Sequence, residues 1–95
     1  MIKTFDAPSI VSTGTVFATA SVVKKLNPID VYVALQRHRR GDWGLVSESD
    51  HEQNDLALQN GGRLLSVFED RKQTRFWIIT EADRSQSTVL LPSDY

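Results

Sequence analysis

Three short apolar runs in the last third of the chain most constrain what it can fold into. They span residues 64–68, 76–80 and 88–91, and the short, mostly polar segments 69–75 and 81–87 separate them. Connections of this length cannot hold the crossover that parallel neighbours need. The spacing therefore predicts a three-stranded antiparallel meander.

A helix is predicted before the meander, starting at Asn27 and Pro28. Asparagine is a favoured capping residue, and proline is tolerated in the first helical turn because its missing N–H would be unpaired there anyway. Apolar residues follow at helical spacing from Ile29 to Val33. The helix should stop near Arg40, because Gly41 follows.

A second helix is predicted between the serines 47 and 49 and the glycine pair 61–62. Either serine can cap its start, and the acidic residues that follow suit the positive end of a helix dipole. Upstream of both helices, residues 10–19 are rich in β-branched types, which favours an edge strand or an extended segment. Residues 18–26 are equally consistent with a short first helix.

These elements predict an α+β protein, with two or three short helices packed on a small antiparallel sheet that ends in the meander. Residues 1–95 are expected to form a single domain, because the chain is too short to divide into two. Helices on one face of the sheet would bury some combination of seven apolar residues. They are Val33, Leu35, Leu56, Leu65, Val67, Ile78 and Leu90.

Composition excludes several classes of chemistry. The chain has no cysteine, which rules out disulfides, thiolate zinc sites and cysteine nucleophiles. Its net charge of −1 gives no general attraction to nucleic acid, so direct nucleic-acid binding is not favoured. The N-terminus lacks the pattern of a secretory signal, and no run approaches the roughly 18 apolar residues of a membrane span. We expect a cytoplasmic protein with no cofactor and no membrane partner.

The first candidate for chemistry is His38, which precedes Arg39 and Arg40 at a predicted helix end. A histidine beside two arginines can act as a general acid–base next to phosphate-binding cations. The structural alternative is that basic residues simply suit the negative end of the helix dipole and that Trp43 fills the core.

The second candidate is a row of hydroxyls on neighbouring strands. In a regular meander Ser66, Thr80 and Thr88 line up, and arginines beside them would give a metal-independent site for phosphodiester transesterification. The structural alternative is that Asp83 and Ser85 build a turn and that threonines occupy strands by propensity. The catalytic set predicted for a nuclease is His38, Arg63, Arg84 and Thr88.

Acidic residues cluster in two places, from Glu48 to Asp55 and in the loop between the last two strands. Glu81 and Asp83 joined by Asp42 or Asp55 would suit a divalent ion, but no spacing demands one, so no metal site is predicted. As a binding surface, the acidic set is Glu48, Asp50, Glu52, Asp55, Glu81 and Asp83.

Several blocks of the chain carry a resemblance. They are His38 with Gly41-Asp42-Trp43-Gly44, then Asp50 and Asn54, and then residues 62–66, 77–85 and 88–95. Over residues 36–95 these blocks resemble a family of small proteins from bacterial plasmids, phages and integrative elements. Its members are often labelled plasmid-related protein or, by gene neighbourhood, type I restriction enzyme subunit.

The resemblance implies a setting beside restriction and antirestriction genes. It does not imply methyltransferase or endonuclease chemistry, because a chain this short without a glycine-rich cofactor loop cannot house an adenine methyltransferase domain.

Two functions of different class remain open. In the first, a non-catalytic mobile-element accessory protein binds and blunts a host defence component, as antirestriction and anti-CRISPR proteins do. Its partner would be a protein or nucleoprotein complex whose basic nucleic-acid grooves attract acidic side chains. The alternative is a small metal-independent RNase of the barnase, colicin or RelE-like type, in which helices precede an antiparallel sheet.

Overall fold

The computed structural model describes residues 9–95 and has the expected α+β architecture. Its helices and strands follow one another along the chain as β1 Thr15–Ala18, α1 Ala20–Lys25, α2 Pro28–Arg39, α3 Glu48–Asn60, β2 Leu64–Glu69, β3 Arg75–Thr80 and β4 Gln86–Leu90, before a 3₁₀ turn at Pro92–Asp94. None of the helices in residues 9–95 has the length and apolar character needed to cross a membrane.

The four strands form one mixed sheet in the order β1-β4-β3-β2. The meander of β2, β3 and β4 is confirmed, with both of its pairings antiparallel. The sheet is not purely antiparallel, because β1 joins it parallel to β4. The three helices α1, α2 and α3 lie between β1 and the meander, which gives the chain the length that a parallel connection needs.

Side-chain caps fix the helix starts that the sequence predicts. The Asn27 side chain accepts a hydrogen bond from the Ile29 N–H at 2.9 Å, at the start of α2. Ser47, rather than Ser49, caps α3 by accepting from the Asp50 N–H at 3.1 Å. Gly61, with a φ of +78°, follows the last residue of α3, as expected of a helix-terminating glycine.

A close approach at Gly14 brings β1 onto the sheet. Gly14 has a φ of +59°, and a Cβ there would lie 2.2 Å from the carbonyl oxygen of Ser85. The next residue, Thr15, donates its N–H to that same carbonyl at 3.1 Å. Only glycine permits this contact, so Gly14 sets where β1 meets the turn between β3 and β4.

The sheet has two unlike faces. Side chains of Leu64, Ser66 and Phe68 alternate with those of Leu65 and Val67 along β2, and the strand pairings extend this alternation across the sheet. We call the face of Leu64 the helix face, because the core lies between it and the helices. The face of Leu65 is called the open face.

The predicted core is partly wrong on the helices. Ile78 is buried on the helix face and Leu35 packs against the core, as expected. Val33 is 51% and Leu56 is 52% exposed, and Leu90 is buried on the open face instead of under the helices. Helix α2 instead buries Ala34 and His38, which lie one turn apart. Apolar residues lie on two sides of α2, and the sheet packs against the side that carries Ala34 and His38.

Candidate functional site

His38 lies in the last turn of α2 and is completely buried against the helix face of the sheet. Its Nδ1 is 2.5 Å from the Ser66 hydroxyl on β2, and its Nε2 is 2.8 Å from the Thr80 hydroxyl on β3. The Thr80 hydroxyl is in turn 2.7 Å from that of Ser87 on β4. The imidazole therefore links α2 to β2 and β3 directly, and to β4 through the Thr80 hydroxyl.

The last hydrogen bond of this buried network, made by Ser87, fixes the direction of the others. Ser87 donates its hydroxyl proton to the backbone carbonyl of Thr13 at 2.8 Å. Since a hydroxyl has one proton, Thr80 must donate to Ser87, and it must then accept from the Nε2–H of His38. Nδ1 of His38 is left to accept the proton of Ser66. We assign His38 as the neutral Nε2–H tautomer on this basis.

Burial keeps this imidazole uncharged. Burial, together with the smaller effect of the nearby positive charges of Arg39 and Arg84, lowers the pKa of His38 from its usual 6.5 to about 4. A protonated ring would also need two acceptors, and Ser66 would then have no partner for its own proton. The hydrogen-bond pattern and the direction of the pKa shift agree.

Trp43 closes the remaining side of His38. Its ring meets the imidazole edge-on, with centroids 5.6 Å apart, and it is itself buried. The indole N–H donates to Asp55 on α3 at 3.1 Å. With both ring nitrogens occupied and no exposed surface, His38 cannot reach a substrate in this conformation.

The hydroxyl row differs from the predicted one at its third member. Ser66 and Thr80 do lie on the helix face, but the β3–β4 register places Thr80 opposite Ser87 and Ile79 opposite Thr88. Thr88 therefore belongs to the open face, and the expectation that it lines up with Ser66 and Thr80 is wrong. A shift of one residue exchanges the two faces of a strand, so the adjacent hydroxyl of Ser87 takes its place.

The hydrogen bonds of the Arg84 guanidinium go to backbone carbonyls. It sits in the β3–β4 turn with a φ of +62°, and its guanidinium donates to the carbonyls of Ala57 at 3.1 Å and Gly62 at 2.5 Å. It also donates to the carbonyl of Glu81 at 3.1 Å. These acceptors include an unpaired carbonyl near the end of α3, so Arg84 joins that helix end to the turn.

Arg63 lies at the end of the open face. Its guanidinium is 3.3 Å from the Tyr95 hydroxyl and 3.6 Å from the Glu81 carboxylate. The hydrogen bond with Tyr95 raises the pKa of Arg63 further, although it is already charged at any physiological pH. Arg63 and Thr88 thus occupy the face of the sheet opposite His38, and the predicted catalytic set does not converge.

Most of the acidic residues on α3 do share a surface. Glu48, Glu52 and Asp55 follow helical spacing on its outward side, next to the exposed Leu56. A shallow depression of about 320 Å³ lies there, lined by Glu52, Asp55, Leu56 and Gln59. Asp50 is exposed in the first turn but lies on a different side of the helix. We call Glu48, Glu52, Asp55 and Leu56 the acidic face.

Glu81 and Asp83 lie apart from the acidic face, in the turn between β3 and β4. Asp83 shapes that turn by accepting from the Ser85 N–H at 2.9 Å, and hydrogen bonding to Ser85 lowers the pKa of its carboxyl. Arg84 places this turn beside the last turns of α3. Within residues 9–95, no three histidine or acidic side chains come together as metal ligands.

Sequence reasoning did not identify Ser87 and Thr13 as members of the buried network, nor Asn54 as a buried contact. The Asn54 side chain bonds both the N–H and the carbonyl of Leu65, at 3.0 and 2.8 Å. One signal was present, because an asparagine one turn before the apolar residues Ala57 and Leu58 lies on the buried side of α3.

No model of a known protein family matches this chain, and neither does any curated protein or solved structure.

Proposed function

We propose that this chain is a non-catalytic accessory protein of mobile elements, which binds and blunts a component of a host defence system. The partner is a protein or nucleoprotein complex that presents a basic surface. The observation that carries the proposal is the acidic face of α3, where Glu52 and Asp55 border a depression beside the exposed Leu56 and Glu48 lies one helical turn before Glu52. The mobile-element setting rests on the family resemblance of residues 36–95.

The chemistry of the acidic face favours a basic partner. Glu52 borders a depression whose other members include Leu56, so a partner can bury apolar surface there while its cations meet carboxylates. Such charge complementarity speeds association and selects the partner more than it raises affinity. Defence complexes that hold nucleic acid expose basic grooves of this kind.

The placement of the nuclease candidates also supports a binding role. A general base must come within hydrogen-bond reach of the proton that it removes. His38 is sealed behind Trp43, Arg84 is used by backbone carbonyls, and Arg63 lies across the sheet from His38. The RNase alternative would need a different conformation to assemble its site.

The test is an affinity pull-down from nuclease-treated lysate of a host that carries restriction and CRISPR systems, read by mass spectrometry. Wild type should retain a defence subunit in stoichiometric amount. The variant Glu52→Lys should lose most of it, by about tenfold or more, because a lysine would face the cations of the partner.

The matched control is Glu69→Lys, which makes the same charge change at an exposed position on β2 away from the acidic face. It should retain the partner as wild type does. Equal retention by wild type and Glu52→Lys would contradict the acidic-face proposal. Cleavage of RNA by the purified wild type would instead support the RNase alternative.

A further inference from the structure

The two edges of the sheet differ in how far their outward backbone groups are hydrogen-bonded by other parts of the chain. At the β2 edge, Val67 donates to the carbonyl of Trp43 at 3.1 Å and accepts from Leu45 at 2.7 Å, while Asn54 bonds both backbone groups of Leu65. Gly44 makes an isolated bridge to Val67 and permits this close approach. The outward backbone groups of Leu65 and Val67, in the middle of β2, are therefore occupied.

The opposite edge, β1, lacks such protection. Thr15 and Thr19 direct their N–H groups to Ser85 and Val89, on the side of β4. Because neighbouring residues of a strand point their backbone groups to opposite sides, those of Val16 and Ala18 point away from the sheet. Nothing in residues 9–95 pairs with that side as a strand, and all four residues of β1 are exposed.

We propose that β1 pairs antiparallel with β1 of a second copy, joining two sheets into one of eight strands. In this pairing Val16 lies opposite Ala18 of the second copy, and each exchanges both of its backbone hydrogen bonds with the other. Phe17 then lies on the two-fold axis and faces its own counterpart. This register uses every outward N–H and carbonyl of β1, so the edge is complementary to itself.

The conformation of Gly14 selects this register. A pairing centred on Val16 would require Gly14 to extend the strand and face Ala18 of the second copy. Gly14 has a φ of +59°, which turns the chain out of the extended conformation at that point. The strand therefore begins at Thr15, and only the pairing centred on Phe17 matches its length.

Side chains on the open face also favour a second copy as the partner of β1. Phe17 is 50% exposed and lies in a row across the sheet with Thr88, Ile79 and Leu65. Pairing at Phe17 would continue this row into its copy on the second sheet. No residue of β1 is charged, so two copies meet without the like-charge repulsion that protects many edge strands.

The dimer is expected to be weak. A pair of four-residue strands with one aromatic contact buries less than the roughly 1,000 Å² of a firm interface. We expect it to form over a range from about 10 µM to about 1 mM protein. This proposal is independent of the proposed function, since β1 and the acidic face are separate surfaces.

Cysteine cross-linking tests the register, because the chain has no cysteine of its own. Under mild oxidation Phe17→Cys should give a covalent dimer, since its two copies face each other across the axis. Thr15→Cys is the matched control on the same strand. Its two copies would be four residues out of step, about 14 Å apart, and should stay unlinked. Equal cross-linking of both variants overturns the register.

Sedimentation equilibrium tests the dimer without a cross-link. The average mass of wild type should rise from 10.7 kDa towards twice that value over the stated range. Phe17→Lys should remain monomeric, because two ammonium groups would meet at the axis, whereas Thr15→Lys should still dimerise. A wild type that stays monomeric throughout, or a Phe17→Lys variant that dimerises normally, overturns the proposal.

Discussion

The two faces of the sheet differ in the kind of side chain that they bury. The helix face lies in the core yet carries a chain of polar groups, formed by His38, Ser66, Thr80 and Ser87, in which each proton has an acceptor. The clusters that the α-helices help to form lie on the helix face, yet Ile79 and Leu90 on the open face are only 7% and 6% exposed. On that face, the apolar side chains in the middle of the sheet are shielded from water by neighbouring side chains.

The comparison teaches that the buried polar chain specifies the fold more sharply than the apolar face does. Apolar contacts tolerate rearrangement if volume is kept. A hydroxyl that loses its partner in the core costs about 1–3 kcal/mol, so the polar chain penalises any slip of one strand against another. On the open face, Trp77 and Tyr95 meet edge-on at 5.5 Å, a contact that a modest shift would preserve in part.

The largest effect should follow from removing the centre of the polar chain. His38→Ala leaves a cavity and strands the hydroxyls of Ser66 and Thr80, so we expect the free energy of unfolding to fall by about 3–5 kcal/mol. Urea denaturation followed by tryptophan fluorescence measures it. His51→Ala, at an exposed histidine on α3, should change the free energy by less than about 0.5 kcal/mol. A similar loss in both variants would contradict the central role of His38.

The next effect is a pH dependence of stability that belongs to His38. Its folded pKa of about 4 lies below the usual 6.5, so the unfolded state binds more protons between these values. Stability should be constant above about pH 6.5 and should fall by about 3 kcal/mol as pH is lowered to 4. Urea midpoints measured at intervals of half a pH unit test this.

Four aspartates contribute to the pH dependence of stability in a separate, lower pH range. Hydrogen bonds lower the pKa values of Asp30, Asp42, Asp83 and Asp94 below the usual 3.8. Their stabilising effect is present above that value and is lost as the pH falls below it. A His38→Gln variant should therefore flatten the profile between pH 4 and 6.5 and keep the loss below pH 4. An unchanged slope in that variant would assign the dependence to other groups.

A smaller effect compares two adjacent residues that point to opposite faces. Ser87→Ala removes the acceptor of Thr80 and the donor to the Thr13 carbonyl, and we expect it to cost about 1–3 kcal/mol. Thr88→Ala, one residue along on the open face, should cost less than about 1 kcal/mol. Thermal unfolding of both variants measures the difference. A larger loss for Thr88→Ala would show that the register between β3 and β4 is shifted by one.

The sequence predicted the strands of the meander and the starts of α2 and α3 because their signals are local. Asn27 and Ser47 cap their helices through groups two and three residues away, and polar segments mark where each strand ends. The candidate site was less predictable. His38 and Ser66 were rightly expected to share a region with Thr80, but their role as a sealed network depends on Trp43 and on the strand register.

By itself, then, the sequence determined which segments become helices and strands, because capping, turn formation and alternation act between residues a few positions apart. Only the tertiary structure decided that β1 joins β4 in parallel, that Ser87 rather than Thr88 faces the core, and that α2 buries Ala34 and His38 while Val33 stays exposed. These choices depend on contacts between distant segments, and two apolar stripes or two neighbouring hydroxyls look alike until the sheet packs against one of them.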